Sequence, residues 1–264
     1  MRLQMLISSL NANPNKLIQG MKPECEGVLV NQCEEESEEE IQVNGYRFWV
    51  LNKKERGVGR SRNAALAAAD AELIIFSDDD IVYDIGYAEA VMKAFRENPK
   101  ADLLLFNVRV CEERRTYWNK DCRRIRWYNC GRFPAYSIAA RREALVKSGV
   151  KYSELFGGGA KYSNGEDSLF LRSCAGRGLK LYTTPVCIGE EIPRESTWFH
   201  GYTEKFFFDR GVLFAFLYGN LAPVWAIRFV LTKRGMLQGE IRTKKAFQLI
   251  LAGIKEGKRE KRKA

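Results

Sequence analysis

Short apolar runs, each closed by polar or turn residues, recur along the first two thirds of the chain and alternate with stretches of helical period. That alternation predicts an α/β sheet flanked by helices. Residues 3–8 (LQMLIS) read as the first strand, 27–31 (GVLVN) as the second and 48–51 (FWVL) as the third. The acidic run EEESEEE at 34–40 reads as an exposed loop. Residues 61–70 (SRNAALAAAD) form a helix of small residues with Ser61 as its N-cap. A fully apolar strand at 72–76 (ELIIF), an amphipathic helix at 85–97 and a strand at 102–110 follow. The second half is less regular. It reads as a strand at 136–140, a short helix at 141–148, a glycine-rich loop at 156–165 (FGGGAKYSNG), a helix at 166–176 and a strand near 180–184.

Beyond this region the pattern changes. Residues 211–231 (GVLFAFLYGNLAPVWAIRFVL) are long enough to span a bilayer, but Asn220, Pro223 and Arg228 interrupt them. They read as two amphipathic helices, either lying at a membrane surface or buried as a core pair. The expected division is a main domain at 1–210 and a helical, basic segment at 211–264.

Composition agrees with a folded chain, 45% hydrophobic and 12% aromatic. The net charge of +10 is unevenly placed: from Trp225 onward there are 12 Lys and Arg against 3 Asp and Glu. A basic end attracts anionic surfaces, or else is a solvated tail. The seven cysteines form no CxxC pair, which argues against a disulfide framework or zinc site and fits a reducing cytosol. The N-terminus suits a first strand better than a signal core.

Four constellations carry candidate chemistry. Asp78, Asp79 and Asp80 follow directly on a buried strand. Ligands bind beyond the carboxyl ends of strands in open α/β sheets, and a divalent cation would neutralise clustered carboxylates. A solvated turn is the plainer reading. The stretch GVGRSRN at 57–63 opens a helix whose N–H groups, with Arg60 and Arg62, would meet an anion, or is simply a basic turn. Asn164-Gly165-Glu166-Asp167 puts two carboxylates in a first helical turn, where the dipole keeps them ionised for use as a general base or as plain capping. Residues 194–202 mix aromatic, hydroxyl and charged side chains suited to stacking on a sugar. They include Trp198 and His200, the only histidine, which is either a ligand or an ordinary polar residue.

The order and spacing of GRSRNAAL, the acidic triplet and Gly-Glu-Asp resemble the family 2 glycosyltransferases. The resemblance covers roughly residues 3–210 and implies the GT-A fold, a Rossmann-like nucleotide-diphospho-sugar transferase with a mixed sheet. It implies a hexosyltransferase-type enzyme of polysaccharide biosynthesis that moves a sugar from a nucleotide-diphosphate donor, most commonly a UDP-sugar, to an acceptor hydroxyl with inversion. The acceptor would be a cell-surface glycan or lipid-linked saccharide. By position, Ser8, Ser9, Asn31, Arg62, Asp78 and Asp79 would bind the nucleotide-sugar. Asp79 or Asp80 would hold Mn²⁺ or Mg²⁺. Asp167 would be the base, with Glu166 supporting it, and Trp198 and His200 would meet the acceptor. Asn31 departs from the aspartate often found in its place. The glycine-rich loop and residues 194–205 would close over the donor. The protein would be cytoplasmic, with peripheral contact on the inner membrane face through its C-terminus, and no nucleic-acid partner is expected.

Two other classes remain open from sequence. A sugar-1-phosphate nucleotidyltransferase would carry a glycine-rich basic loop after strand one, where this chain has SSLNANPNK. A non-enzymatic binder of lipid or nucleic acid through the basic end would leave the acidic triplet unexplained.

Overall fold

A computed structural model describes residues 1–113, 115–193, 201–232 and 242–263. The first strand, β1 (Leu3–Leu10), sits in the sheet between β2 (Glu26–Gln32) and β5 (Leu73–Asp78), parallel to both. The chain leaves β1 through α1 (Pro14–Met21) to β2. It continues outward to β3 (Ser37–Val43) and β4 (Tyr46–Lys53), then returns through α2 (Val58–Ala68) to β5 on the other side of β1. The crevice at the carboxyl ends of β1 and β5 is therefore the topological switch point of the sheet, where such folds bind ligands.

The rest of the sheet is mixed. It comprises β6 (Ile81–Tyr83), β7 (Leu103–Arg109), β9 (Ile138–Arg141), which runs on into α4 (Arg142–Ser148), and β10 (Leu181–Glu191), and the whole sheet has the order β3-β4-β2-β1-β5-β9-β7-β10-β6. The short β8 (Arg124–Ile125) pairs with β10. Alternate residues feed two cores. Leu6, Val28, Val30 and Phe76 face α2, while Met5, Ile7, Leu29 and Ile75 face α1 and α3 (Tyr87–Glu97). Burial on both faces explains the nearly continuous apolar strands.

The acidic run is an edge strand rather than a loop. Residues of β3 pair antiparallel with β4 through a hairpin at Asn44 and Gly45, both at positive φ (52° and 83°). Asn-Gly is the pair that such a tight turn favours. The glutamates of β3 are exposed, and charge on an edge strand deters pairing with other chains.

The helix of small residues also begins earlier than its sequence suggests. Gly57 occupies the N-cap of α2, and Ser61 is buried inside the first turns, donating to the Val30 carbonyl at 3.4 Å. The start of α2 is closed to an anion. Gly57 N–H donates to Gln32 Oε1 (3.0 Å) and Val58 N–H to the Gly158 carbonyl (2.9 Å).

The C-terminal part is a three-helix layer. It consists of α6 (Glu204–Tyr218), α7 (Ala222–Thr232) and α8 (Thr243–Lys263), with a 3₁₀ turn at Gly219–Leu221. The basic tail is thus mostly a helix. Its stripe of Ala246, Ile250, Gly253, Ile254 and Gly257 is buried against α6. A Cβ on Gly211 would collide with the Ile250 carbonyl, and one on Gly253 with the Phe208 carbonyl, so glycines set how closely the two helices approach.

Of the two helices expected to be amphipathic, only α7 is. Helix α6 is buried on most of its circumference, between α8 on one side and Phe156 and Tyr162 on the other. Residue 211 falls inside α6. Among the described residues, 204–232 form the one helical run long and apolar enough to cross a membrane, and it is interrupted at Gly219–Leu221.

Candidate active site

Arg62, on α2, lies in the switch-point crevice with only 4% of its side chain accessible. Its Nη2 donates to Asp78 Oδ1 at the end of β5 (2.8 Å). Its Nη1 donates to Asp167 Oδ1 (2.7 Å) and more distantly to Glu166 Oε1 (3.4 Å). Both acids open α5 (Glu166–Gly176). Residues more than 100 positions apart in the chain therefore meet on one guanidinium. The planar fork of arginine suits such a junction, since its donors can serve several carboxylates at once.

The cradle around Arg62 is aromatic. Its guanidinium lies 5.1 Å from the Tyr152 ring, which stacks flat on Phe170 of α5 at 4.0 Å. The start of α5 is fixed by Gly165, whose φ of +115° favours glycine and whose missing Cβ leaves room for Leu213 of α6.

Asp167 keeps 20% of its side chain accessible, so a substrate can reach it where it could not reach Arg62. Its Oδ2 accepts the Ala135 N–H at 3.1 Å. Each oxygen thus holds one donor and retains a free lone pair. Burial pushes the Asp167 carboxyl well above the usual aspartate range. Glu166 and Asp78 add to the rise, while Arg62 and the Ala135 N–H oppose it. The helix dipole does not keep this carboxyl in the ordinary range, because desolvation outweighs it. For Arg62 burial acts toward a lower value, but Asp167 and Asp78 outweigh it and hold the guanidinium charged.

The strand ends extend this site sideways. Ser8 is the register partner of Asp78, and Ser9 that of Asn31. The Ser8 hydroxyl is buried without a hydrogen-bond partner among the described residues. Asn31 is committed to the fold. Its Oδ1 accepts from Ser9 Oγ (3.1 Å) and the Ala12 N–H (3.0 Å), and its Nδ2 donates to the Ala12 carbonyl (3.2 Å) and Asn52 Oδ1 (2.9 Å). An aspartate could not make the two donations, which gives a physical reason for asparagine here.

Asp79 and Asp80 lie just past Asp78 and line a cavity of about 490 Å³ with Asn13, Lys16, Leu17 and Ile192. The Asp80 carbonyl accepts the Ile192 N–H at 2.8 Å. Among the described residues, no three His, Cys, Asp or Glu side chains converge as a metal site. The two carboxylates are nonetheless hard oxygen donors beside an open cavity. That suits Mg²⁺ or Mn²⁺, which bind through one or two carboxylates plus substrate phosphates.

Trp198 and His200 lie outside the described residues. The glycine-rich loop is tied to α2 and α6 at its two ends. Gly158 holds α2, and buried Asp209 of α6 accepts from the Ser163 N–H (2.9 Å) and Oγ (2.8 Å). Sequence reasoning passed over Tyr152, the Ala135 N–H and Lys16. Lys16 had a usable signal, since Asn13-Pro14 is a cap followed by a proline at the first helical position.

A mixed sheet with a carboxylate–arginine cluster at its switch point is the architecture of the GT-A nucleotide-sugar transferases. Residues 2–148 match the family model described as glycosyl transferase family 2. The chain belongs to that family and is a glycosyltransferase. Similar solved structures include residues 1–349 of S. aureus TarS in complex with UDP-GlcNAc, at 14% identity and a TM-score of 0.59, covering 96% of this chain and 72% of that one. Another is the mannosyltransferase PcManGT from Pyrobaculum calidifontis in complex with GDP-Man and Mn²⁺, at 15% identity and a TM-score of 0.54, covering 98% and 75%. No curated protein matches the chain in sequence.

Proposed function

We propose that this glycosyltransferase inverts the anomeric centre of a nucleotide-diphosphate sugar, a UDP-sugar in the first instance, using Asp167 as the general base. The observation that carries the proposal is the meeting of Asp167 and Asp78 on Arg62. It joins a base on one element to a donor-binding strand end on another. The complexes of similar structures with UDP-GlcNAc and GDP-Man support a nucleotide-sugar donor.

In this reading Asp78, Ser8 and Ser9 border the nucleotide, with Arg62 orienting Asp78 from behind and Asn31 holding the turn beside it. Asp79 and Asp80 would hold Mg²⁺ or Mn²⁺, and such an ion offsets charge on the leaving diphosphate. Asp167 accepts the proton of an acceptor hydroxyl as that oxygen bonds to C1 and the C1–O bond to the diphosphate breaks. A raised carboxyl suits this task, because a base near the working pH is the most efficient. Glu166 shares Arg62 with Asp167 and supports the base. Trp198 and His200 are proposed to meet the acceptor, a cell-surface glycan or lipid-linked saccharide. Residues 1–210 would carry the chemistry, and 211–264 would rest on the inner face of the membrane through the exposed side of α7 and the cations of α8.

The decisive experiment is thermal melting with UDP, GDP and dTDP, each with and without Mn²⁺. A ligand that binds only the folded chain raises its melting temperature. A rise with one nucleotide that needs the metal is the expected result. No rise with any of them would sink the proposed donor chemistry.

A further inference from the structure

Helix α6 buries a carboxylate. Asp209 is only 1% exposed, on a helix whose other buried residues are nearly all apolar. Taking a carboxylate out of water is costly unless hydrogen bonds and an opposite charge compensate. Here the donors come from two places. Asp209 Oδ2 accepts from the Ser163 N–H (2.9 Å) and Oγ (2.8 Å), and from Lys205 Nζ (2.6 Å) one turn earlier on α6. Lys205 Nζ also donates to the Lys161 carbonyl (3.0 Å). An apolar side chain would pack here at less cost, but it could hold neither the Ser163 donors nor the lysine.

What Asp209 holds is the entry to α5. Ser163 stands two residues before Gly165, the N-cap of that helix. Leu213 fills the space of a Gly165 Cβ, which would lie 2.5 Å from its Cδ1. Asp209 and Leu213 are four residues apart, so they share one face of α6, about 6 Å apart along its axis. That face therefore grips the chain entering α5 at two points. The other end of the loop closes on the same place. Gly157 N–H donates to the Tyr162 carbonyl (2.9 Å), Phe156 and Tyr162 pack with Val212, Leu213 and Leu217, and a Cβ on Gly157 would lie 2.8 Å from Glu166 Cδ. Glu166 and Asp167 follow Gly165 directly. From that first turn Asp167 reaches both Arg62 (2.7 Å) and the Ala135 N–H (3.1 Å).

We propose that Asp209 is a positioning residue for Asp167: by clamping Ser163 it sets the start of α5, and with it the place and the burial of the base. The C-terminal helices then serve the chemistry directly, because α6 carries Asp209 and Leu213 on either side of residue 210 and α8 covers its far side. A catalytic group works only when its supporting residues hold it close to the productive geometry, and a buried acid with fixed donors is a stiffer support than apolar packing alone. The inference rests on the reading of Asp167 as the base, but its test involves no donor, acceptor or turnover.

The test follows the Ala135 amide, which donates to Asp167 from a separate element, by amide NMR of the full chain with isotope-labelled alanine. In the wild type its shift is expected to titrate with the Asp167 carboxyl, above the usual aspartate range, and Asp167→Asn identifies that titration by abolishing it. Asp209→Asn is expected to admit water at the start of α5. The midpoint then falls toward the usual aspartate range, and the amide exchanges at least about tenfold faster. Ser163→Ala removes a single donor and should act in the same direction, with exchange about threefold faster, so the test stands even if Asp209→Asn does not fold. Arg62, Asp78, Glu166 and Tyr152, the charged and titratable groups around Asp167, are left in place in both variants. Lys245→Ala, which breaks the exposed pair with Glu204 of α6, should change neither reading. A wild-type midpoint and exchange rate in both Asp209→Asn and Ser163→Ala would overturn the assignment, whatever happens to the melting temperature. Equal changes in Lys245→Ala, or no Asp167-dependent titration at Ala135 in the wild type, would overturn it too. Failure of the base reading is seen separately: full transfer activity in Asp167→Asn would remove that reading and leave the amide result standing.

Discussion

Arg62 Nη1 lies 2.7 Å from Asp167 Oδ1, so the proposed base is held by a cation that itself has almost no contact with solvent. The pairing has a consequence for pH. Burial raises the Asp167 carboxyl and Arg62 restrains the rise. The base works only when ionised. The acid limb of kcat/KM should therefore lie above the ordinary carboxylate range, with activity increasing as pH rises through it. Asp167→Asn should lower kcat by about 10²–10⁴-fold while nucleotide-induced melting shifts persist. A limb near the usual aspartate value, or full activity in the asparagine variant, would count against Asp167 as base.

Removing the cation should cost more than removing any one acid. Arg62→Ala leaves Asp78, Glu166 and Asp167 crowded without a counter-charge, and breaking such a partly buried network destabilises by about 3–5 kcal/mol. Without Arg62 the folded carboxylates take up protons more readily, so their repulsion is relieved in acid. Urea unfolding should show a smaller loss at pH 5 than at pH 7. An equal loss at both would mean that packing against Tyr152, not charge, is what Arg62 supplies.

Much of this arrangement is legible in the sequence, for definable reasons. The strands around the switch point are buried on both faces and read as apolar runs, so β5 and the position of Asp78 at its end follow directly. Gly165-Glu166-Asp167 is an N-terminal helix signal that tertiary contacts leave intact. What fails is whatever depends on partners far away in sequence. Ser61 has the composition of a cap, yet it is buried because Gly57 and Gln32 close the helix one turn earlier. The glutamates of β3 look like a loop because an edge strand has a solvated face; only Asn44-Gly45 betrays the hairpin. Helix α6 appears amphipathic until α8 covers its remaining side, and that cover depends on glycines whose packing role no periodicity announces. Asp167's raised carboxyl is likewise invisible locally, since first-turn acids are ordinarily stabilised as anions.

Asp79 and Asp80 should separate by measurement. Both line the cavity beside α1. If Asp80 supplies the metal oxygen, Asp80→Ala removes the Mn²⁺-dependent part of the nucleotide melting shift and leaves any metal-independent part. Asp79→Ala should then reduce the shift without abolishing its metal requirement. The reverse pattern would assign the metal to Asp79, and no change in either would remove both Asp79 and Asp80 from the donor site.

Helix α8 should be an integral part of the folded unit. Gly253→Ala gains helix propensity, but its Cβ meets the Phe208 carbonyl, which cannot yield unless α6 and α8 part. Overpacking of that kind costs about 1–3 kcal/mol and should win. Chemical denaturation should show the loss, and limited proteolysis should cut sooner within residues 242–263. Unchanged stability would mean that the two helices are not held at the observed distance.

The outward face of α7 makes the proposed membrane contact testable. Leu221, Val224, Ile227 and Leu231 are all at least half exposed and fall within one arc of the helix and its preceding turn. On α8, exposed Leu251 shares a helical face with Lys244, Lys255, Lys258 and Arg262. Apolar side chains flanked by cations are the signature of a helix lying at an anionic interface. Flotation should therefore find the chain on vesicles containing phosphatidylglycerol and less of it on pure phosphatidylcholine, with binding weakened by salt. Val224→Ser/Ile227→Ser should release it without lowering the melting temperature, because neither side chain is buried. Retention of the double variant on anionic vesicles would show that charge alone binds the membrane, and loss of neither lipid preference nor binding at high salt would point to a surface other than α7 and α8.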